Sequence, residues 1–381
     1  MKHMKCLLIV LIKYVMVNSL KFKKNYILLK MGFKCGIIGL PNVGKSTLFN
    51  ALTKSSIPAE NFPFCTIEPN IGKVPLPDKR LKQINDIVDS KKIIPASLDL
   101  VDIAGLVKGA SDGEGLGNAF LSNIREMNAL AHVVRCFKDE NITHVDGCID
   151  PVRDAEIINF ELIMSDLDTL SKKLLKTEKL LKTNDKKNKV EHEILLKIKN
   201  ELDKGNLIKL DTFSDEEKLI IKSFQLLSTK PTFYIANISD DDSSDEALNN
   251  LIQFAKKSNI TVIPTSIKIE QEISLLNEVE KIEYLELLDI DEPVLNKIIF
   301  KGYEILGLQT FFTAGPQEIR AWTIKKNALA PNAAGVIHTD FERGFIKAEV
   351  ISFDDYLLCN GELGSKEKGK SRLEGKEYHV K

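Results

Sequence analysis

The sequence predicts an α/β fold in which a doubly wound sheet is interrupted by an antiparallel helical hairpin and followed by a small α+β domain. The first observation is a phosphate-loop (P-loop) pattern, G-x-x-x-x-G-K-S at residues 39–46, between an apolar run and a helical segment. The second is a set of later apolar runs that end in polar loop residues, as the strands of such a sheet do. The third is a heptad spacing of apolar residues that starts near residue 154.

The P-loop pattern has the strand–loop–helix context that gives it meaning. An apolar run at residues 35–38 precedes it, and a helical segment at residues 47–52 follows. Gly39 and Gly44 allow the backbone to turn so that successive N–H groups face an anion, and the positive end of the helix dipole adds to this attraction. The alternative is a glycine-rich turn before an ordinary helix, which the correct flanks on both sides disfavour.

Within this loop, we expect Lys45 to reach the β- and γ-phosphates of a nucleoside triphosphate and Ser46 to place its hydroxyl on Mg²⁺. We expect the nucleotide to be held by residues of this loop and of two later loops, namely Asn42, Val43, Gly44, Lys45, Ser46, Thr47, Asn237, Asp240 and Ser266.

Composition indicates a globular chain that is long enough for about two or three domains. The chain has 381 residues, and 53 Lys and Arg nearly balance 54 Asp and Glu. A net charge of −1 argues against a globally basic nucleic-acid binder and leaves local basic patches open. We expect no DNA partner. The six cysteines form no C-x-x-C pair, which favours reduced thiols and a cytoplasmic location over a disulfide framework or a zinc site.

Residues 1–30 differ from the rest of the chain. Residues 6–17 are apolar apart from Lys13, and Lys2 and Lys5 precede them. This pattern is similar to a signal-peptide core, but the run is too short to span a bilayer and no small-residue cleavage site follows. We therefore expect a dispensable leader or an over-extended start ahead of Met31, and no membrane partner.

Two further segments contain residues that a nucleotide switch requires. Thr66 lies in a loop with prolines and aromatic residues, and in switch GTPases a threonine here closes over Mg²⁺ and the γ-phosphate. The pattern D-x-x-G follows a strand predicted at residues 96–101, so Asp102 would hold the Mg²⁺ shell and Gly105 would offer its N–H to the γ-phosphate. The D-x-x-G pattern alone is a weak signal, because short patterns recur by chance. At the end of an apolar strand that follows a P-loop, it is a strong one. The glycine-rich residues 108–117 predict a second switch.

Strands predicted at residues 231–236 and 261–264 end in loops that we expect at the nucleotide base. GTPases recognise guanine with N-K-x-D, and here Asn237 and Asp240 keep two of the positions while Ile238 replaces the lysine. Because Ile238 cannot brace the loop that aims the carboxylate, we expect ATP to bind more tightly than GTP, with residual GTP use through Asp240. Asn237 has a donor and an acceptor and is expected to serve N6 and N7 of adenine.

Another buried strand is predicted at residues 131–137. Its His132 has two interpretations, a ligand or a core histidine whose ring nitrogens have partners. We favour the core histidine, because it is the commoner situation for a histidine within an apolar run.

The segment from residue 154 to residue 224 predicts two helices joined by a tight turn. A heptad seam is formed by Ile163, Leu167, Leu170, Leu174, Thr177 and Leu181. After a basic break at residues 182–189, helical spacing resumes at Ile194, Ile198 and Leu202. The hairpin is either a partner-binding arm or a helical insertion with a solvated surface. From residue 302 onward, apolar stretches at 307–312, 322–325, 335–338 and 345–351 predict short strands and turns.

With these motifs, the chain from Met31 onward resembles the Obg-like, YchF-type ribosome-binding ATPases. The segments that carry the resemblance are residues 36–52, 62–70, 102–110, 115–118, 311–316 and 333–345. The resemblance implies an OBG-type P-loop domain of residues 31–153 and 228–301, a coiled-coil hairpin of residues 154–227 and a TGS-type β-grasp domain of residues 302–381. It also implies binding to the large ribosomal subunit and its rRNA, and a preference for ATP.

The chain departs from this family in two places. Residues 1–30 have no family counterpart. The family continues with an acidic turn and a strand where this chain stops soon after residues 374–378, so we expect a last domain that is truncated and has an exposed sheet edge.

Hydrolysis needs a water molecule aimed at the γ-phosphorus, and we expect Lys45, Gly105 and Leu106 to form the catalytic region. Ras-like enzymes orient the water with a glutamine at the position of Leu106, which cannot form that hydrogen bond. The resemblance implies an apolar residue there, so we expect slow turnover until another group or a partner completes the site. Asn42 would help to bind K⁺ between the phosphates, an expectation that equal turnover in K⁺ and Na⁺ would contradict.

These observations favour a ribosome-associated ATPase that acts as a nucleotide-dependent switch in translation or stress response. The alternative is a nucleotide sensor or scaffold on the large ribosomal subunit that uses GTP or does not hydrolyse nucleotide, and Leu106 keeps it open. A metabolic small-molecule kinase is disfavoured, because no second substrate lid is evident.

Overall fold

The computed structural model describes residues 8–11, 33–54, 70–103, 116–139, 149–181, 185–239 and 244–381, with the backbone alone at 8–11 and 116–119. The strands are β1 (Leu8–Leu11), β2 (Lys34–Ile38), β3 (Ile71–Pro75), β4 (Ile93–Ile94), β5 (Ser97–Asp102), β6 (Ala129–Arg135), β7 (Thr232–Asn237), β8 (Val262–Thr265), β9 (Leu308–Ala314), β10 (Ile319–Lys325), β11 (Ala348–Ser352) and β12 (Arg372–Glu374). The helices are α1 (Lys45–Lys54), α2 (Lys79–Val88), α3 (Leu116–Glu126), α4 (Pro151–Leu181), α5 (Lys186–Asp203), α6 (Asp215–Phe224), α7 (Asp245–Lys257), α8 (Ile267–Ile273), α9 (Glu278–Leu287), α10 (Val294–Ile305), α11 (Ala330–Ile337), α12 (Thr339–Arg343), α13 (Phe353–Leu358) and α14 (Glu362–Glu367). In this part of the chain no helix combines the length and the apolar character that crossing a bilayer needs.

The first sheet contains the P-loop and has the order β3-β5-β2-β6-β7-β8. β3 runs antiparallel to β5, and the remaining neighbours are parallel. Every residue of β6 is buried, which is why its sequence is apolar without alternation. The four strands predicted from apolar runs correspond to β5, β6, β7 and β8.

Helices cover both faces of this sheet, as a doubly wound fold requires. Side chains that alternate along β6 face two different hydrophobic clusters. Val134 packs with Ala155 of α4 and Leu251 of α7. Val133 belongs to the main core, which α1 and α10 also join, the latter through Ile298. The predicted α/β class is therefore confirmed.

The insertion between β6 and β7 is an antiparallel pair, α4 and α5, closed at its base by α6. Its core contains predicted seam residues of both helices, namely Ile163, Leu170, Leu174, Ile194, Ile198 and Leu202. Thr177 is buried in the seam, and its Oγ1 lies 3.0 Å from Nδ1 of His192 on the facing helix. The helical hairpin is thus present as the sequence predicted, and it begins at Pro151 instead of residue 154.

The second sheet has the order β12-β11-β1-β9-β10-β4, so it includes strands from outside residues 302–381. One face packs on α11, where Phe311 and Val350 meet Ala333. The other face joins the main core, with Phe312 and Ile351 buried there. The truncation expected for this domain and its β-grasp assignment both remain predictions.

The structure corrects two expectations in this region. The apolar stretch at residues 335–338 is not strand or turn but lies mostly in α11. This helix has Pro331 in its first turn and buries Ala333 and Ala334. The boundary expected between residues 301 and 302 falls inside α10. The helix continues through Gly302. The missing side chain allows α10 to pack closely on β5, since a Cβ there would lie 3.0 Å from Cδ2 of Leu98.

A buried carboxylate fixes the return from the insertion to the sheet. Asp166 of α4 is fully buried and accepts hydrogen bonds from the Leu227 N–H at 2.8 Å, the Ser228 N–H at 2.8 Å and the Ser228 hydroxyl at 2.6 Å. Burial raises the pKa of Asp166, while these hydrogen bonds oppose the rise. The side chain therefore satisfies backbone donors that water cannot reach.

We predict that Asp166→Ala lowers the free energy of unfolding by about 2–4 kcal/mol, because it leaves buried donors without partners. The measurement is urea denaturation followed by circular dichroism. Asp168→Ala is the matched control: this residue is exposed and forms a surface ion pair with Lys172, so a loss below about 0.5 kcal/mol is expected. Equal losses in the two variants would contradict the prediction.

Candidate nucleotide-binding site

The P-loop crosses the carboxyl ends of β6 and β7, between the end of β2 and the start of α1. Gly39, Asn42 and Gly44 have positive φ values of 152°, 62° and 101°. A Cβ on Gly39 would lie 2.5 Å from the carbonyl oxygen of Val133, and one on Gly44 would lie 2.8 Å from Nδ2 of Asn237. Glycine is therefore required at both positions by conformation and by contact.

Lys45 begins α1 and lies inside the curve of the loop. Its side chain is buried, and Nζ donates a hydrogen bond to the carbonyl oxygen of Leu40 at 2.6 Å. Burial lowers the pKa of Lys45 to about 8, while the charge of Asp102 opposes the shift. The loop thus encloses a cationic donor at the place where the sequence predicts the phosphates.

Ser46, in the first turn of α1, meets Asp102 at the end of β5. Ser46 Oγ donates a hydrogen bond of 2.9 Å to Oδ2 of Asp102, which ends β5. The other carboxylate oxygen, Oδ1, is buried and has no hydrogen-bond partner among the described residues. A hydroxyl and a carboxylate oxygen are hard ligands that suit Mg²⁺, which takes few protein ligands when phosphates supply the others. These residues therefore fit the predicted metal.

Asn237 links the P-loop to the loop that follows β8. Its Nδ2 donates to the Val43 carbonyl oxygen at 3.0 Å, and its Oδ1 accepts from the Ile267 N–H at 3.3 Å. Asn237 is buried, so these bonds hold two loops together in the protein itself. One N–H of Nδ2 and one lone pair of Oδ1 remain for a ligand, so recognition of N6 and N7 of adenine by this side chain stays a prediction.

The loop after β8 is ordered by its own helix cap. Ser266 precedes α8, and its Oγ accepts a hydrogen bond from the Ile269 N–H at 3.4 Å. The Ile238 N–H donates to the Thr265 carbonyl oxygen at 3.1 Å, which ties the ends of β7 and β8 together. Both loops predicted at the base are therefore adjacent to each other and to the P-loop.

His132 lies in β6 behind the P-loop. The ring is buried, packs edge-on against Tyr234 at 5.2 Å, and its Nδ1 has no hydrogen-bond partner among the described residues. Burial, followed by the charge of Lys45, lowers the pKa of His132 to about 3, so the ring is neutral. The interpretation as a core histidine is right, but the expectation that both ring nitrogens have partners is wrong for Nδ1.

Four predicted site residues lie outside the described residues: Thr66, Gly105, Leu106 and Asp240. Sequence reasoning missed Arg135, which ends β6 beside Asn237 in the pairing register and is almost fully buried. Its Nε donates to the Phe137 carbonyl oxygen at 3.1 Å, and its guanidinium lies 4.5 Å from the Phe137 ring. The available signal was a single basic residue at the end of an otherwise apolar strand.

Comparison with known proteins agrees with this geometry. Residues 34–165 match the family described as "50S ribosome-binding GTPase", and residues 308–381 match the YchF-GTPase_C family, described as a protein of unknown function (DUF933). Two curated relatives are named ribosome-binding ATPase YchF. The protein from Haemophilus influenzae is 52% identical over 351 residues, which are 92% of this chain and 97% of the relative. The Bacillus subtilis protein is 49% identical over 354 residues with the same shares.

A solved structure gives the same result. The Schizosaccharomyces pombe YchF GTPase structure superposes with a TM-score of 0.83 at 39% identity, over 92% of this chain and 96% of that chain. The names of these proteins differ in the nucleotide, ATP for the bacterial relatives and GTP for the yeast structure. The resemblance seen in the motifs is confirmed: the chain belongs to the YchF family.

Proposed function

We propose that this protein is a ribosome-binding P-loop ATPase that hydrolyses ATP to ADP and phosphate and works as a nucleotide-dependent switch. The observation that carries the proposal is the convergence of Lys45, Ser46 and Asp102 in a P-loop fold. The names of the curated relatives support the ATPase and ribosome-binding parts. Single-turnover hydrolysis with and without ribosomes tests it, because a sensor that does not hydrolyse ATP would give no product in either case.

The chain contributes phosphate binding and orientation. Lys45 is already enclosed by the loop, so its ammonium can exchange the Leu40 carbonyl for phosphate oxygens with little movement. Backbone N–H groups around Gly44 and the start of α1 add donors for the same anion. The loop would thereby hold the phosphate chain of the nucleotide.

Ser46 and Asp102 would hold Mg²⁺, which supplies charge neutralisation at the phosphates when it is bound. Oδ1 of Asp102, which has no hydrogen-bond partner within the described part of the chain, supports this assignment. Thr66 and Gly105 are proposed to complete the γ-phosphate side. Leu106 cannot orient water, so slow turnover without a partner is part of the proposal. A K⁺ ion near Asn42 stays a prediction.

The proposed partner is the large ribosomal subunit through its rRNA, and the proposed location is the cytoplasm. The hairpin is the proposed contact, because Lys186, Lys187 and Lys189 are exposed at the start of α5. With Lys182, they would face phosphates. The TGS-like domain of residues 302–381 is proposed as the second contact.

ATP is proposed as the preferred nucleotide and GTP as the weaker one. Guanine offers two donors that a fixed carboxylate accepts together, whereas adenine has an acceptor at N1. Ile238 packs its side chain against the cluster formed with α7, which supports the view that it does not brace the base loop as a lysine would.

We predict that Lys45→Ala slows hydrolysis by about a hundredfold or more, because it removes a charge at the phosphates. ATP affinity of the wild type should also fall as the pH rises through about 8, since the unliganded ammonium then loses its proton. The variant should lack this pH dependence. The measurements are single-turnover kinetics and titration of a non-hydrolysable ATP analogue between pH 7 and pH 9.5. Unchanged turnover would refute the site assignment.

We predict that charge reversal at the hairpin tip weakens association with the large subunit and flattens its salt dependence. Each lost phosphate contact should reduce the slope of log affinity against log salt by about one unit. The reversed residues are Lys182, Lys186, Lys187 and Lys189. Sedimentation across a salt series is the measurement. The matched control reverses four lysines near the base of the same insertion, Lys204, Lys209, Lys218 and Lys222. If the tip variant sediments like the control, the arm is structural only.

We predict that the wild type binds ATP more tightly than GTP and that Ile238→Lys narrows or reverses this preference. The introduced lysine would supply the brace that the loop lacks, and sites that bond a base edge discriminate strongly. Competition against a labelled ATP analogue measures both nucleotides. Ile238→Met, which adds length without charge, is the control and should keep the preference. GTP that competes as well as ATP against the wild type would end this proposal.

A further inference from the structure

The strand β1 occupies an interior position of the second sheet, although it belongs to the N-terminal segment. It lies between β11 and β9 in the strand order. It runs antiparallel to β11, with Leu8 opposite Ser352 and Leu11 opposite Glu349. It runs parallel to β9, with Ile9 opposite Phe312. No other described strand lies between β9 and β11.

The residues that flank this position are buried on both faces of the sheet. Phe311 of β9 and Val350 of β11 belong to the cluster under α11. Their sequence neighbours Phe312 and Ile351 belong to the main core on the opposite face. All four are at most 1% exposed. A strand between them must therefore be apolar at consecutive positions, and the sequence of β1 is Leu-Ile-Val-Leu.

The helix α13 also lies across this strand. It follows β11 directly, and its Tyr356 is buried in the main core. The position of β1 is thus enclosed by the strand on each side and by helices on both faces. Such a position is a central slot of the sheet and not an edge that any strand could join by chance.

We propose that residues 8–11 are a built-in donor strand that completes the C-terminal sheet of the same chain. Without this strand, β9 and β11 would present unpaired N–H and C=O groups to each other inside the domain. Residues 8–11 are then a structural part of the C-terminal sheet. The position between β9 and β11 accepts an apolar strand that runs parallel to β9.

Hydrogen exchange of the full chain, followed by mass spectrometry, tests the proposal. In the wild type the amides of β1 should be protected. Val10→Pro removes a ladder donor and should speed exchange in peptides from β9 and β11 by about tenfold or more, with peptides from β6 unchanged. Asn18→Pro, in the same N-terminal segment but outside β1, is the matched control and should leave β9 and β11 protected. Fast exchange of β1 in the wild type would overturn the proposal.

A cross-link tests the register without disturbing the fold, and it serves if Val10→Pro does not fold. Val10 and Val350 are Cα partners, so Val10→Cys with Val350→Cys in a Cys6→Ser background should form a disulfide within one chain. Leu8→Cys with Val350→Cys is out of register by two residues and should cross-link at least about tenfold more slowly, because its Cα atoms lie beyond disulfide reach. Equal rates, or cross-linked dimers in place of monomers, would overturn it.

Discussion

The contact between Gly39 and the backbone of β6 is the constraint on which the nucleotide site depends. A side chain at Gly39 would collide with the carbonyl oxygen of Val133. The loop can therefore approach the backbone of β6 this closely only if residue 39 is glycine. That depth places Lys45 inside the loop and Ser46 within hydrogen-bond distance of Asp102. The other end of the loop is fixed in the same way, because Gly44 leaves room for the amide of Asn237.

The two sheets are joined through the strand that ends at the candidate metal ligand. Ile93 and Ile94 of β4 pair with β10 in the second sheet, and after a short link the chain enters β5, which ends at Asp102. The segment between β4 and β5 is fixed in place, because the Ala96 carbonyl oxygen accepts a hydrogen bond from the Leu76 N–H at 2.7 Å. α10 also packs on strands of both sheets. Movement of β5 along its axis would therefore reach the second sheet instead of being absorbed by a loop.

Features with a local cause could be predicted from the sequence. The P-loop, the buried strands β5 to β8 and the hairpin seam follow from glycine spacing, apolar runs and heptads, which residues close in sequence determine. Features that depend on distant partners could not. The pairing of β1 with β9 and β11 joins opposite ends of the chain, and no periodicity indicates it.

The misplaced details have equally physical causes. The boundary at residue 302 was placed where the composition changes, but the helix α10 continues through it, and Gly302 leaves space there for Leu98. The contacts of Asn237 with Val43 and Ile267 could not be predicted, because they depend on how two loops pack. The catalytic assignments at Gly105 and Leu106 rest on sequence alone, because they lie outside the described residues.

The polar pair in the hairpin seam fixes how the two helices of the insertion align along each other. Apolar seams allow helices to slide by a turn at small cost, whereas Thr177 and His192 can meet at one alignment only. α4 is a single helix of 31 residues, about 45 Å long, that begins against β6 through Ala155. The hairpin is thus a rigid spacer that starts at the nucleotide sheet. Any surface that its far end contacts is held at a fixed distance from the P-loop.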